Sequence, residues 1–192
     1  MLDGVSSSTG AKKAVSFAIN YLTKNHKSFF KEGSFDLAGL LEELNQALTA
    51  TKLEDPYTTC SLAYIPHNSS QTILFLSLGD SRIYSVSKQY LLQLTIDHND
   101  PIRINFLTKY LGSKDLTLND FAEIEYLNDE QSLLICSDGF YSVMQSNPEN
   151  LAEIHRVLNL KAIHYIQKGI DKVIQGLNTD DASYVFMRWE NV

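Results

Sequence analysis

Only two cysteines occur among the 192 residues, Cys60 and Cys136, and both lie inside apolar stretches. Thiols so placed read as small buried side chains, and neither a disulfide framework nor a zinc site is expected. This usage fits a reducing, intracellular compartment. A basic surplus is also missing: 16 Lys and Arg stand against 23 Asp and Glu, a net charge of −7. Such a surface repels nucleic acid and anionic membrane, and neither is expected as a partner. No stretch approaches the roughly 18 apolar residues of a membrane span. No basic start followed by an apolar core reads as a signal peptide, so a cytoplasmic location is the expectation. Internal repeats and low-complexity tracts are lacking. So are a zinc-binding helix signature, a phosphate-cradling glycine loop, a Gly-x-Ser-x-Gly elbow and a cysteine-based phosphatase loop.

What is present is enough apolar material, 44% of residues, to bury a full core without staples. The length fits one domain over residues 1–192. Ala14, Phe17, Ala18, Tyr21 and Leu22 follow helical spacing, and Leu37, Leu40, Leu41, Leu44 and Leu48 repeat it. The period then shortens. Thr58–Ile65, Thr72–Leu78, Ile83–Val86 and Tyr90–Leu94 read as strands, with His67–Ser70 as one of the turns between them. Connections this short make neighbouring strands antiparallel. Arg103–Leu111 reads as a short helix, Phe121–Tyr126 and Ser132–Cys136 as strands, and Phe140–Met144 as a helix start. Leu151–Leu158 is helical in pattern. Ile163, Ile166, Ile170, Val173, Ile174 and Leu177 form another helical stripe, broken at Asn178-Thr179 before a last strand to Trp189. This order predicts an α+β layered sandwich rather than a doubly wound sheet.

Carboxylates mark the ends of the most apolar strands. Thr72–Leu78 leads into Gly79-Asp80-Ser81-Arg82, and Ser132–Cys136 leads into Ser137-Asp138-Gly139. Asp180-Asp181 opens the run Ala182–Trp189, and Asp3-Gly4 stands near the start. Taken singly, Asp-Gly is a common turn pair, Gly79-Asp80 can shape a hairpin or bulge, and Ser137-Asp138 can cap a helix. Jointly they suggest acids aimed at one point from rigid mounts. Two such charges about 4 Å apart repel by about 4 kcal/mol at an effective dielectric near 20. A hard divalent cation such as Mg²⁺ or Mn²⁺, which prefers oxygen ligands, turns that repulsion into binding.

In order, the chain carries Asp3-Gly4-Val5, Thr58-Thr59-Cys60, Gly79-Asp80-Ser81-Arg82, Leu94-Thr95-Ile96-Asp97-His98, Leu107-Thr108 through Leu111-Gly112, Leu133–Gly139 and Asp180-Asp181-Ala182-Ser183. This set resembles the metal-dependent serine/threonine protein phosphatases of type 2C, bacterial members in particular. The resemblance implies a four-layer sandwich of two antiparallel sheets flanked by helices. It implies hydrolysis of phosphoserine and phosphothreonine in proteins by a hydroxide bridging two Mn²⁺ or Mg²⁺ ions, with a third, weaker site. Asp3 would bridge the metals, the Gly4 carbonyl would touch one, Asp138 and Asp180 would hold the first, and Asp80 with Asp138 would match the third. Asp97 and His98 would be supporting residues, and Ser183 structural. The partners implied are a phosphorylated protein and a cognate protein kinase.

The likeness has gaps. The family has a strand before Asp-Gly that brings an acidic ligand for the second metal and a phosphate-gripping arginine. Here Met1-Leu2 resembles the tail of the next strand, so the domain is expected to be N-terminally truncated relative to the family. Val5 stands where many members have a histidine, and Ser6 and Ser7 where glycines are frequent. Residues near Asn105–Asn119 match a substrate-facing flap, short enough to leave an open site. Two other readings therefore stay open: a catalytically silent, phosphatase-like module that binds or regulates another protein, and a small-molecule phosphatase on the same scaffold.

Overall fold

The structure, a computed structural model, describes residues 1–31, 34–66, 72–103, 106–127, 132–177 and 180–189. In chain order the elements are α1 Ala11–Asn25, β1 Phe30–Lys31, β2 Ser34–Phe35, α2 Leu37–Thr49, β3 Cys60–Tyr64, β4 Thr72–Leu78, β5 Arg82–Val86, β6 Leu91–Gln93, β7 Ile124–Leu127, β8 Ser132–Cys136, α3 Asp138–Gln145, α4 Pro148–Leu158, α5 Ile163–Ile174 and β9 Tyr184–Arg188. Short 3₁₀ turns occupy His26–Phe29 and Leu118–Phe121. The fold is α+β, with antiparallel sheets flanked by helices, as the sequence indicates. Its contacts divide into two compact units, Met1–Ser81 with Ile96–Leu127, and Arg82–Thr95 with Asn128–Val192.

The first unit carries the sheet β3-β4-β7, in which Cys60 faces Leu78 and Ile73 faces Tyr126. One face of that sheet packs on α1 and α2 through Leu40, Leu41, Leu44, Leu48, Ala14 and Ala18. The leucine stripe read from the sequence is this seam. Asp36 caps α2 by accepting the Gly39 N–H at 2.8 Å, which fixes where the helix starts. The second unit carries the sheet β6-β5-β8-β9. Leu134, Cys136 and Tyr84 pack there against Phe140, Ile154, Val157, Ile166 and Ile170 of α3, α4 and α5. Strand β8 is buried at all five positions, which is why it reads as an unbroken apolar run. Both cysteines are free and buried, as expected.

The sequence reading needs correction in three places. No helix forms among the described residues of 103–111. Leu107 bridges Asn99, and Leu111 bridges Thr58. Backbone groups that a helix would pair locally are taken by distant partners instead: Thr108 N–H donates to the His98 carbonyl, and Leu111 and Thr58 exchange two bonds of 2.9 and 3.2 Å. Phe121 ends a 3₁₀ turn, and its strand begins only at Ile124. Leu177 lies beyond α5 and is exposed. The turn at His67–Ser70 and the break at Asn178-Thr179 lie outside the described residues.

The loop after β6 is tied down by one buried amide. Asn45 of α2 accepts the Gly112 N–H at 2.7 Å and donates to the Ser113 carbonyl at 3.0 Å. Gly112 has φ +90°, and a side chain there would run into the Pro56 carbonyl. Farther on, Lys109 meets Asp120 at 2.6 Å, and Asp120 also accepts the Thr117 N–H and hydroxyl. Partial burial raises the Asp120 pKa, but Lys109 and the Thr117 donors outweigh it and bring the carboxyl down to about 2.

Asn45→Leu is expected to destabilise the chain by about 1–3 kcal/mol in urea unfolding, because it orphans a buried donor and a buried acceptor. Asp120→Asn tests the second tie. A carboxyl depressed from 3.8 to about 2 stabilises the fold above pH 4 and loses that contribution as pH falls through 2. The gap between wild type and variant in urea midpoint is therefore expected to be constant near neutrality and to close in acid.

Candidate active site

The register places the acidic segments at matched strand ends. Leu78 ends β4 opposite Cys60, so Gly79-Asp80 emerges beside the start of β3. Cys136 ends β8 between Arg82 and Tyr184, so Ser137-Asp138 emerges beside the segment entering β9.

In the second unit the geometry is specific. Asp138 and Asp180 line one cavity of about 250 Å³, together with Gly139, Ser142, Val143, Ser146 and Leu177. Two features of the backbone bring the two acids there. Gly139 lies so close to the 180–181 segment that an added Cβ would sit 2.6 Å from the Asp181 carbonyl oxygen and 3.2 Å from the Asp180 carbonyl carbon. Ser137, fully buried, is the second. Its N–H donates to the Ser183 carbonyl at 3.0 Å, its Oγ accepts the Ser183 N–H at 3.0 Å, and its hydroxyl donates to the Asp181 carbonyl at 3.2 Å. Ser137 holds the N-cap position of α3 without capping it through its side chain. The hydroxyl is spent on the neighbouring loop. Asp138 is the first residue of α3, where the helix dipole favours negative charge, and its Oδ1 accepts the Gly139 N–H at 2.8 Å. Asp180 Oδ1 accepts the Asp181 N–H at 2.7 Å.

The first unit holds Asp3, Gly4 and Asp80. Met1–Val5 runs antiparallel to Tyr57–Ser61: Thr59 N–H donates to the Asp3 carbonyl at 2.7 Å, Val5 N–H to the Tyr57 carbonyl at 3.2 Å, and Gly4 bridges Thr58. Thr58 Oγ1 adds a second bond to the Asp3 carbonyl, and Asp3 N–H donates to Thr59 Oγ1. The same Thr59 hydroxyl lies 2.9 Å from Ser81 Oγ, and Ser61 Oγ donates to the Ser81 carbonyl at 2.7 Å. These buried hydroxyls tie the Asp3 segment to the Gly79–Ser81 turn. Gly79 has φ +103°, and a Cβ there would lie 2.7 Å from the Thr59 side chain. His98 clasps the turn from the other side, accepting the Gly79 N–H on Nδ1 at 3.2 Å and donating its own N–H to the Gly79 carbonyl at 3.0 Å. Burial, then Lys109, pushes the His98 pKa down, which keeps Nδ1 available as that acceptor.

Sequence reading named the acids and missed what aims them: Ser61, Ser81 and Ser137. The available signal was a run of buried hydroxyls, Thr58, Thr59 and Ser61, at the start of an otherwise apolar strand. Among the described residues, no set of three or more His, Cys, Asp or Glu side chains is gathered for a metal ion. The Asp138 and Asp180 pair nonetheless suits one kind of ion. The polar side chains lining its cavity offer only oxygen donors, and none of them is cationic. Magnesium is commonly held by one or two carboxylates and several waters. No helix among the described residues is long and apolar enough to cross a membrane.

Comparison with known proteins agrees with this architecture. The solved bacterial serine phosphatase superposes with a TM-score of 0.78 at 17% identity, over 100% of this chain and 85% of that one. The serine/threonine phosphatase Stp1 from Staphylococcus aureus gives 0.77 at 18% identity, over 99% and 82%. The serine/threonine phosphatase PstP/Ppp from Mycobacterium tuberculosis gives 0.72 at 19%, over 99% and 87%. At such identities the likeness is one of fold. A search of curated proteins gave no match. The protein phosphatase 2C family model, in contrast, matches residues 1–173. With that match over most of its length, this chain belongs to the protein phosphatase 2C family.

Proposed function

We propose that the chain, acting as one domain over residues 1–192, hydrolyses phosphoserine and phosphothreonine in proteins with the help of Mn²⁺ or Mg²⁺. The observation that carries this reading is the pairing of Asp138 and Asp180 on one cavity, enforced by Gly139 and Ser137. Asp138 and Asp180 would hold one ion, and the family resemblance makes Asp3, the Gly4 carbonyl and Asp80 the further candidate ligands. When bound, divalent ions supply a water of lowered pKa and offset the negative charge of the phosphoryl group.

The chain's own residues do the positioning. Asp138 is presented from the first turn of a helix, where the helix dipole favours a negative charge. Ser137 and Gly139 set the depth of the 180–183 segment, hence the distance between the two acids. Thr58 and Thr59 fix the Asp3 backbone, and His98 fixes the Gly79-Asp80 turn. A cysteine nucleophile is disfavoured at Cys60, whose thiol burial pushes up to about 12. The acidic surface repels a phosphorylated substrate until cations are bound, which makes turnover dependent on their supply.

Asp138→Asn and Asp180→Asn keep shape and remove charge. Each is expected to abolish Mn²⁺ uptake by calorimetry and phosphate release from a phosphothreonine peptide, with an unchanged melting curve in EDTA. Full metal-dependent turnover in both variants would refute the assignment. Metal uptake by the wild type without any turnover would favour the silent, protein-binding reading. Ser137→Ala and Gly139→Ala probe the supporting geometry. Each is expected to weaken Mn²⁺ binding by about 10-fold or more, as loss of groups that orient metal ligands commonly does.

A further inference from the structure

A second cavity lies in the first unit. It measures about 410 Å³, within the usual range for small-molecule sites, and is lined by Tyr57, Tyr110, Asp55, Asp115, Lys114 and Gly112, among others. Tyr57 and Tyr110 form a tilted ring pair with centroids 4.7 Å apart. Two carboxylates against one ammonium leave this lining with a charge of −1 (Asp55 and Asp115 against Lys114). Its walls are fixed before any ligand arrives. Asn45 pins Gly112 and Ser113, Gly112 abuts the Pro56 carbonyl, and the Ser8 hydroxyl donates to the Asp55 carbonyl. Burial, then Asp55, Tyr110 and Asp115, raises the Tyr57 pKa, so the phenol stays neutral.

Paired aromatic faces beside carboxylates suit an organic cation. Ring quadrupoles attract it, and the carboxylates pair with it. A guanidinium fits this better than an ammonium, because it is planar, stacks on rings and is weakly hydrated. The place in the fold adds a reason. The Tyr57 carbonyl accepts the Val5 N–H, and the next residue, Thr58, bonds the Asp3 carbonyl, so the cavity adjoins the backbone that holds the proposed Asp3 segment.

We propose that the cavity formed by Tyr57, Tyr110, Asp55 and Asp115 binds the arginine side chain of the phosphoprotein substrate. The cation site stands on this geometry alone, whereas its use for substrate rests on the phosphatase reading. The substrate class is then a phosphopeptide carrying an arginine, drawn to an acidic surface of net charge −7.

The two parts separate experimentally. N-acetyl-arginine amide and its neutral isostere N-acetyl-citrulline amide are titrated into the metal-free chain, with NMR of the tyrosine rings as readout. The arginine compound is expected to shift Tyr57 and Tyr110 signals and to bind at least about twofold more tightly than citrulline, the lower end for an exposed cation–π contact. Tyr110→Leu and the surface change Asp115→Asn, each checked for an unchanged melting curve, are expected to erase that preference. Equal binding of the two amides, or binding indifferent to both substitutions, overturns the site. Phosphopeptides with arginine or citrulline at stepped distances from phosphothreonine then test its use. A lower KM for one arginine spacing, lost in Asp115→Asn with kcat unchanged, is the expected result. Binding of the amide without any such spacing preference overturns the substrate role. Amide binding in a chain that turns over no phosphopeptide leaves the cation site standing and overturns the phosphatase reading instead.

Discussion

The contact of Gly139 with the Asp180–Asp181 backbone sets the geometry of the candidate site in the second unit. An ordinary Cβ cannot occupy the 2.6 Å between that position and the Asp181 carbonyl oxygen. A residue with a side chain would push the segment outward and separate the two carboxylates that share the cavity. The glycine costs the helix some stability, since its backbone is freer in the unfolded chain, by about 1 kcal/mol relative to alanine. That cost is tolerable one residue into α3, where the helix is held by Phe140, Val143 and Met144 in the core. Ser137 completes the arrangement with three hydrogen bonds to residues 181 and 183, so approach and attachment are both specified within three consecutive residues.

The first unit solves the same problem by another means. Its acids lie on segments far apart in sequence, and hydroxyls rather than a close approach connect them. Thr59 and Ser61 are buried at the start of β3, where apolar side chains would add hydrophobic stabilisation. Their oxygens instead satisfy Asp3, Ser77 and Ser81. Buried hydroxyls are tolerable only when bonded, and these are bonded to one another or to backbone. The arrangement is directional in a way apolar packing is not. It fixes the orientation of a turn whose glycine, at φ +103°, has no side chain to anchor it.

This difference explains what could be read from the chain alone. The two strands named to the residue, Thr72–Leu78 and Ser132–Cys136, are apolar and mostly buried, so their signal is local. The leucines of α2 are equally legible because a 3.6-residue period needs no knowledge of the partner. The segment 103–111 misled for the converse reason. Its backbone is held by His98 and Thr58, and the turn that follows by Asn45, partners that no local pattern reveals. At the candidate site, single acids at strand ends carried little information, whereas their joint occurrence and the order of the motifs carried the family. The roles of Ser61, Ser81 and Ser137 were not, since a serine beside a turn is common and only its bonding geometry distinguishes it.

The acidic balance of the chain bears on both proposed sites. A surface of net charge −7 is unfavourable for a dianionic phosphate and favourable for a basic side chain. A substrate carrying both groups meets opposing fields at its two ends. Cations at the carboxylate pair would reverse the sign only there, within a Debye length of about 8 Å at physiological salt. On the proposed readings, metal loading would govern where the phosphate settles, and the tyrosine-lined cavity would govern which peptide is held. Because the two effects would arise from different residues, Asp138 and Asp180 for the metal and Asp55 and Asp115 for the arginine, substrate preference could change without altering the metal ligands.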